Sequence, residues 1–208
     1  EEYDALLTTM PLDVLVRITD GINLPKPQPL HFSSVAIVGL GIKGETPAHI
    51  RAKCWMYFPD DQAPFFRATV FSHYSPFNAP MGCWSLMTEI SSSAFRLLPK
   101  GDIASHVIKG AKRTKLLPRD GKIESTWVFH SPYGYPTPTL RRDGYLNRVL
   151  PELEKHQIYS RGRFGAWKYE VSNQDHSFMQ GVEWANHIAK GEMEITVNNP
   201  AYVNRRKE

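Results

Sequence analysis

The chain has 208 residues, 41% of them apolar and 12% aromatic, enough to bury a packed core. Its 25 Lys and Arg against 21 Asp and Glu leave a formal charge of +4. Those charges are scattered rather than massed, which argues against a nucleic-acid-binding surface and suits a small anionic ligand. Cys54 and Cys83 form no C-x-x-C pair, and no His or Cys stands at zinc-site spacing. No metal is expected, and a reduced, cytoplasmic setting fits. The longest nearly apolar run, Val35 to Ile42, is far shorter than the roughly 20 residues needed to cross a bilayer, so no membrane partner is expected.

In chain order, the first residue is not Met and the stretch EYDALLTTMP follows at once, so the chain reads as cut from a longer protein. Tyr3 to Thr9 is compatible with a short strand, and Pro11 and Asp13 open a helical turn through Val14, Leu15 and Ile18. The three prolines of 21–30 (GINLPKPQPL) mark a linker. From His31 to about Ser92, the runs SSVAIVGLGI, AKCWMYF, FFRATVF and CWSLMTEI alternate with turn residues and read as an antiparallel meander. Asp102 caps a helix whose apolar residues Ile103, Val107, Ile108 and Ala111 share a face, and Ile123 to Phe129 returns to strand.

Tyr145, Leu146, Val149, Leu150 and Leu153 fall at helical spacing, with Pro151 expected to kink or restart the helix. Ile158 to Arg161 is a short strand. Ser172 or Asn173 then caps a last helix in which Phe178, Val182, Ala185 and Ala189 form the buried stripe and Gly191 provides the stop. The basic run Asn204-Arg205-Arg206-Lys207 reads as a solvated tail. A sheet with helices on one side, an α+β or α/β arrangement, accounts for these elements.

Gly39-Leu40-Gly41-Ile42-Lys43-Gly44 fits the G-x-G-x-x-G pattern after a strand. A dinucleotide cradle needs a helix next, whereas Glu45-Thr46-Pro47 and a return to strand follow. The glycines therefore read as a strand with a bulge or turn. Arg161 to Gly181 is more informative, because it joins a glycine-flanked arginine, an aromatic run and a polar helix start. A helix beginning at Asn173 or Gln174 points unpaired N–H groups and its positive dipole end outward, which favours negative charge.

The run GRFGAWKYEVSNQDHSFMQGVEWANHI resembles the C-terminal flavin motif of the UDP-galactopyranose mutases, in particular the eukaryotic type. The resemblance takes in CWMYFPDDQAPFFRATVFSHYSPFN, GYPTPTL and the final helix. It implies a flavin-dependent isomerase acting on UDP-galactose, which interconverts UDP-galactopyranose and UDP-galactofuranose on reduced FAD. Flavin N5 attacks the anomeric carbon and UDP is released, so the cofactor makes the covalent bond and the protein supplies orientation and charge. The product points to a cell-wall role, and the full-length protein could be a homo-oligomer. This segment would be a C-terminal half, inactive alone. Residues 1–20 would close a Rossmann-like FAD-binding domain, 21–30 link it to an antiparallel substrate domain at 31–157, and 158–191 return to the FAD domain before a tail at 192–208.

By the same resemblance, Arg67, Tyr135 and Tyr169 hold the substrate diphosphate and are the catalytic candidates, with Trp55 and Tyr57 also near the substrate. Arg163, Ser172, Asn173, Gln174 and Ser177 would face the flavin. Read from the residues alone, Arg67 would pair with Asp60 or Asp61, Tyr135 would be a packed loop residue and Tyr169 a half-buried strand residue. Trp127, Trp167 and Trp184 read as core, and His176 as a capping or supporting residue. Two departures stand out. Ser172 replaces the family's glycine, which would restrict a positive φ, and 128–133 lacks the charges that family members place before Gly134. A related FAD-dependent oxidase or isomerase and a non-catalytic remnant are the competing functions.

Overall fold

A computed structural model describes residues 2–205. Arg206 and Lys207 of the expected basic tail lie outside them. In chain order the elements are β1 (Leu6–Thr8), α1 (Leu12–Ile18), β2 (Phe32–Lys43), β3 (Trp55–Tyr57), β4 (Arg67–Val70), β5 (Cys83–Ser92), α2 (Ile103–Arg113), β6 (Ile123–Pro136), α3 (Arg142–Lys155), β7 (Ile158–Ser160), α4 (Gly162–Gly165), α5 (Gln174–Lys190), α6 (Ile195–Asn198) and α7 (Pro200–Val203). The chain divides into two compact units, one of residues 33–134 and one of 1–32 with 135–208.

The 33–134 unit is a five-stranded sheet in the order β3-β4-β5-β2-β6. β2 pairs antiparallel with β5, β5 with β4, and β4 with β3. The expected meander holds for β3, β4 and β5 and is corrected for β2, which lies between β5 and β6 instead of beside β3. Strand alternation puts Ala36, Val38, Leu40 and Ile42 of β2 on one face with Trp84, Leu86 and Ile90 of β5, all buried in a single core with Ile103, Ala104, Val107 and Ala111 of α2. Each fully buried Val, Leu or Ile side chain among them contributes about 1.5–3 kcal/mol. Asp102 caps α2 as expected, accepting from the backbone N–H of Ala104 at 3.2 Å and Ser105 at 3.1 Å. The Ser105 hydroxyl, and after it those backbone bonds, hold its carboxyl below the usual range.

Gly39 and Gly41 lie inside β2 and Gly44 just follows its end at φ +100°, with only a short 3-10 turn at Ala48–Ile50 beyond. A Cβ on Gly41 would stand 2.4 Å from Ser125 Oγ, so this glycine lets β6 approach. The second face of the sheet carries Trp55, Tyr57, Arg67, Met87, Glu89, Ile37 and Gly39, since cross-strand partners project to the same side. Trp127 also lies on it, against Gly39, and at 57% exposure it is not the core residue the sequence suggested. Cys54 and Cys83 are free thiols.

In the other unit, β1 and β7 form a parallel pair with Leu6 opposite Ile158 and Thr8 opposite Ser160. Helix α3 belongs here rather than with the sheet, although the expected substrate domain ran to residue 157. It buries Tyr145, Leu146, Val149, Leu150 and Leu153, and it passes through Pro151 without a break. That buried stripe brackets the proline and offsets the one hydrogen bond it removes. Trp167 is fully buried, as expected, between Phe32 and Phe164, and its indole N–H donates to the His31 carbonyl at 3.3 Å. The segment expected as a tail folds into α6 and α7.

Helix α5 ends at Gly191 in the left-handed region, as the sequence indicates. Its expected stripe is not buried. Phe178 is 74% and Val182 40% exposed, and Ala185 and Ala189 are exposed too. The one buried residue of the helix is Gln180. Among the described residues, no helix is long and apolar enough to cross a membrane.

Candidate functional site

The predicted site residues fall into two clusters, one in each unit. On the open face of the sheet, Arg67 begins β4 and meets Glu89 directly across on β5. Its Nε donates to Glu89 Oε1 and its Nη2 to Oε2, both at 2.6 Å. The expected pairing with Asp60 or Asp61 is therefore replaced by a bidentate pair inside the sheet. The Arg67 guanidinium carbon lies 5.9 Å from the Trp55 ring centroid and 5.8 Å from that of Phe66. Trp55 is 58% exposed, and Tyr57, opposite Arg67 on β3, is exposed as well.

Trp55 is in turn met by Tyr74, whose ring stands edge-on at 6.5 Å. Partial burial and the Cys54 thiol push the Tyr74 phenol up. Farther along the same face, Ile37, Gly39, Phe71, Met87 and Trp127 line an apolar hollow of about 450 Å³. An oriented arginine bordered by exposed aromatic rings offers a directional donor for an oxyanion and flat surface for a sugar or base.

The second cluster gathers around the segment that joins α4 to α5. The Arg163 guanidinium lies over the Tyr135 ring, 4.6 Å from its centroid, and its Nε donates to the Ser172 carbonyl at 2.9 Å. Tyr135 and Tyr169 are edge-on at 6.2 Å. Tyr169 lies in a 3-10 turn, Tyr169–Val171, and not in the strand that the residues alone suggested. The Ser172 hydroxyl donates to the Tyr169 carbonyl at 2.9 Å and closes that turn. Ser172 has φ −109°, so its position does not need glycine, and the expected restriction by serine is corrected. Its side chain is spent on the turn, and its carbonyl holds Arg163.

Asn173 occupies the N-cap position of α5, but its side chain accepts no capping bond, contrary to expectation, and stays exposed beside Gln174. Ser177 is half-buried in the first turn. The unpaired N–H groups there and the dipole of a 17-residue helix make this end attractive to an anion. His176 Nδ1 and Trp184 Nε1 are buried without a hydrogen-bond partner among the described residues, so His176 does not cap.

Two residues of this region carry no signal in the sequence reading. Gln180 accepts from the Gly162 N–H at 2.8 Å and donates to the Val171 carbonyl at 2.9 Å, tying α5 to both sides of the Arg163 segment. Gly162 has φ +82°, a conformation that excludes most side chains, so the bond fixes a glycine-dependent turn. Arg161 is buried in a fork to Glu194 at 2.6 Å on each side, with Glu154 at 2.8 Å. Burial opposes the Arg161 charge, but both carboxylates outweigh it and raise its pKa. Arg142 is likewise locked by Glu170 and Asp143. Burial raises the Glu170 carboxyl, yet the Arg142 bonds prevail and hold it low.

Among the described residues, no three His, Cys, Asp or Glu side chains converge as a metal site would require. No family model matches the chain. Among solved structures, it is similar to a reduced UDP-galactopyranose mutase, with TM-score 0.94 and 43% identity over 98% of this chain and 45% of that one. The chain thus spans less than half the length of that mutase. It is also similar to a protein from Exiguobacterium sp. 255-15 described as a protoporphyrinogen oxidase, with TM-score 0.58 and 16% identity over 76% of this chain and 36% of the other, a likeness of fold alone.

Proposed function

For a chain that is UDP-galactopyranose mutase-like in fold and in sequence, we propose a part in the isomerisation of UDP-galactopyranose and UDP-galactofuranose, with FAD as cofactor. The observation that carries the reading is the mutase likeness over nearly the whole chain, both clusters included. Residues 158–191 would lie against the flavin and the sheet would face the substrate, while this chain without the rest of such an enzyme would be inactive. A cytoplasmic setting belongs to the same reading.

The second cluster fits a flavin. Asn173 and Gln174 present uncommitted amide groups at the start of α5, where N–H donors and the helix dipole favour a ring that becomes anionic on reduction. Arg163, parked by the Ser172 carbonyl and the Tyr135 face, adds a fixed cation. Bound and reduced, FAD supplies the nucleophile for the anomeric carbon.

The chain's own residues then bind and orient. Arg67 would hold the diphosphate and stabilise its charge as UDP leaves, with hydroxyl donors from Tyr135 and Tyr169. Trp55 and Tyr57 would border the sugar. Anaerobic incubation of the complete, dithionite-reduced protein with UDP-galactofuranose should yield UDP-galactopyranose by anion-exchange chromatography. No product from a protein that retains its flavin would refute the reading.

A further inference from the structure

We propose that Glu89 is a positioning residue for Arg67, fixing which edge of the guanidinium is presented on the open face of the sheet. This inference rests on the reading of Arg67 as the diphosphate ligand. The pair is built into the strand lattice, since Arg67 and Glu89 are directly opposite in the β4–β5 register. Glu89 is buried, and its side chain has only Ile37 as its cross-strand neighbour on β2. Both its oxygens are committed to Arg67, one to Nε and one to Nη2. The guanidinium therefore cannot rotate in its plane without breaking two charge-assisted bonds. The Trp55 and Phe66 rings also stand near it, their centroids 5.9 and 5.8 Å from the guanidinium carbon.

A buried carboxylate beside an anion site is costly for binding, and orientation of the arginine offsets that cost. It compensates the Arg67 charge and repels an incoming diphosphate, so simple attraction would be stronger without it. What it gives is a pre-set rotamer, so that binding spends no free energy on ordering a long side chain. The alternative, that Glu89 merely neutralises a half-buried arginine for folding, predicts a different response to mutation.

The test is a double-mutant cycle on UDP affinity in the complete, flavin-loaded protein, with melting temperature and flavin absorbance followed in parallel. Glu89→Gln keeps the shape and one acceptor, and it guards against a Glu89→Ala protein that does not fold. Orientation predicts that Glu89→Gln weakens UDP binding about tenfold, and that it has no further effect in an Arg67→Ala background, because Glu89 acts only through Arg67. Unchanged or tighter UDP binding by Glu89→Gln, while Arg67→Ala binds weakly, overturns the positioning role and leaves the function intact. A lowered melting temperature with unchanged affinity also overturns it. If Arg67→Ala itself leaves UDP affinity unchanged, the diphosphate reading fails and the inference falls with it.

Discussion

Helices α2 and α5 both repeat apolar residues at three- and four-residue spacing, and they meet opposite fates. In α2, Ile103, Val107 and Ala111 are buried against β2 and β5. In α5, Phe178, Val182, Ala185 and Ala189 follow an equivalent spacing and remain exposed, while polar Gln180 is the residue packed inside. An apolar stripe says that a face seeks cover, but not that nearby chain supplies it. In α5 the buried Gln180 amide and the Glu183 carboxylate, which accepts from the Thr196 N–H and hydroxyl, supply hydrogen bonds that help hold the helix with its apolar side uncovered.

The contrast breaks most visibly if the core under α2 is disturbed. Val107→Asp puts a carboxylate into an apolar core with no partner, and the expected loss is about 4 kcal/mol or more, enough to unfold the 33–134 unit. Urea denaturation followed by circular dichroism reads it, and a loss below about 2 kcal/mol would mean that α2 is not packed as described. The α5 anchor comes next. Gln180→Leu matches its volume closely but strands the Gly162 N–H and the Val171 carbonyl, at an expected cost of about 2–3 kcal/mol. Hydrogen exchange at Gly162 should accelerate in this variant, and unchanged protection would remove Gln180 from its anchoring role.

The sequence made some of this architecture readable for local reasons. The Asp102 cap, the α3 stripe and the Gly191 stop each depend on a few neighbouring residues, and each stands where local chemistry puts it. Strand order was not readable, because alternation identifies the buried face of β2 but not whether β3 or β5 lies beside it. The same limit hid the partner of Arg67. Asp60 and Asp61 are near in sequence, whereas Glu89 is 22 positions away and meets Arg67 only through the β4–β5 register. Gln180 gives no such signal, because a polar residue between Phe178 and Val182 looks like the solvent side of an amphipathic helix. The candidate site residues were legible as types and motifs through family resemblance, while the Ser172 carbonyl that holds Arg163 is visible only in three dimensions.

The smallest expected effect is the one that isolates the uncovered face of α5. Phe178→Ser removes a large ring from a position that is three-quarters in solvent, so the stability of this chain should change by less than about 0.5 kcal/mol. Ser at an exposed helical site costs only a few tenths of a kcal/mol in propensity, and loss of exposed apolar surface should improve solubility. A urea-midpoint shift worth more than about 1 kcal/mol would show that Phe178 is packed in solution, and α2 and α5 would then no longer differ. The same substitution in a protein where further chain covers α5 should cost about 3 kcal/mol or more, as for any buried phenylalanine. The difference between these two losses measures how much of the burial implied by the stripe comes from outside residues 2–205.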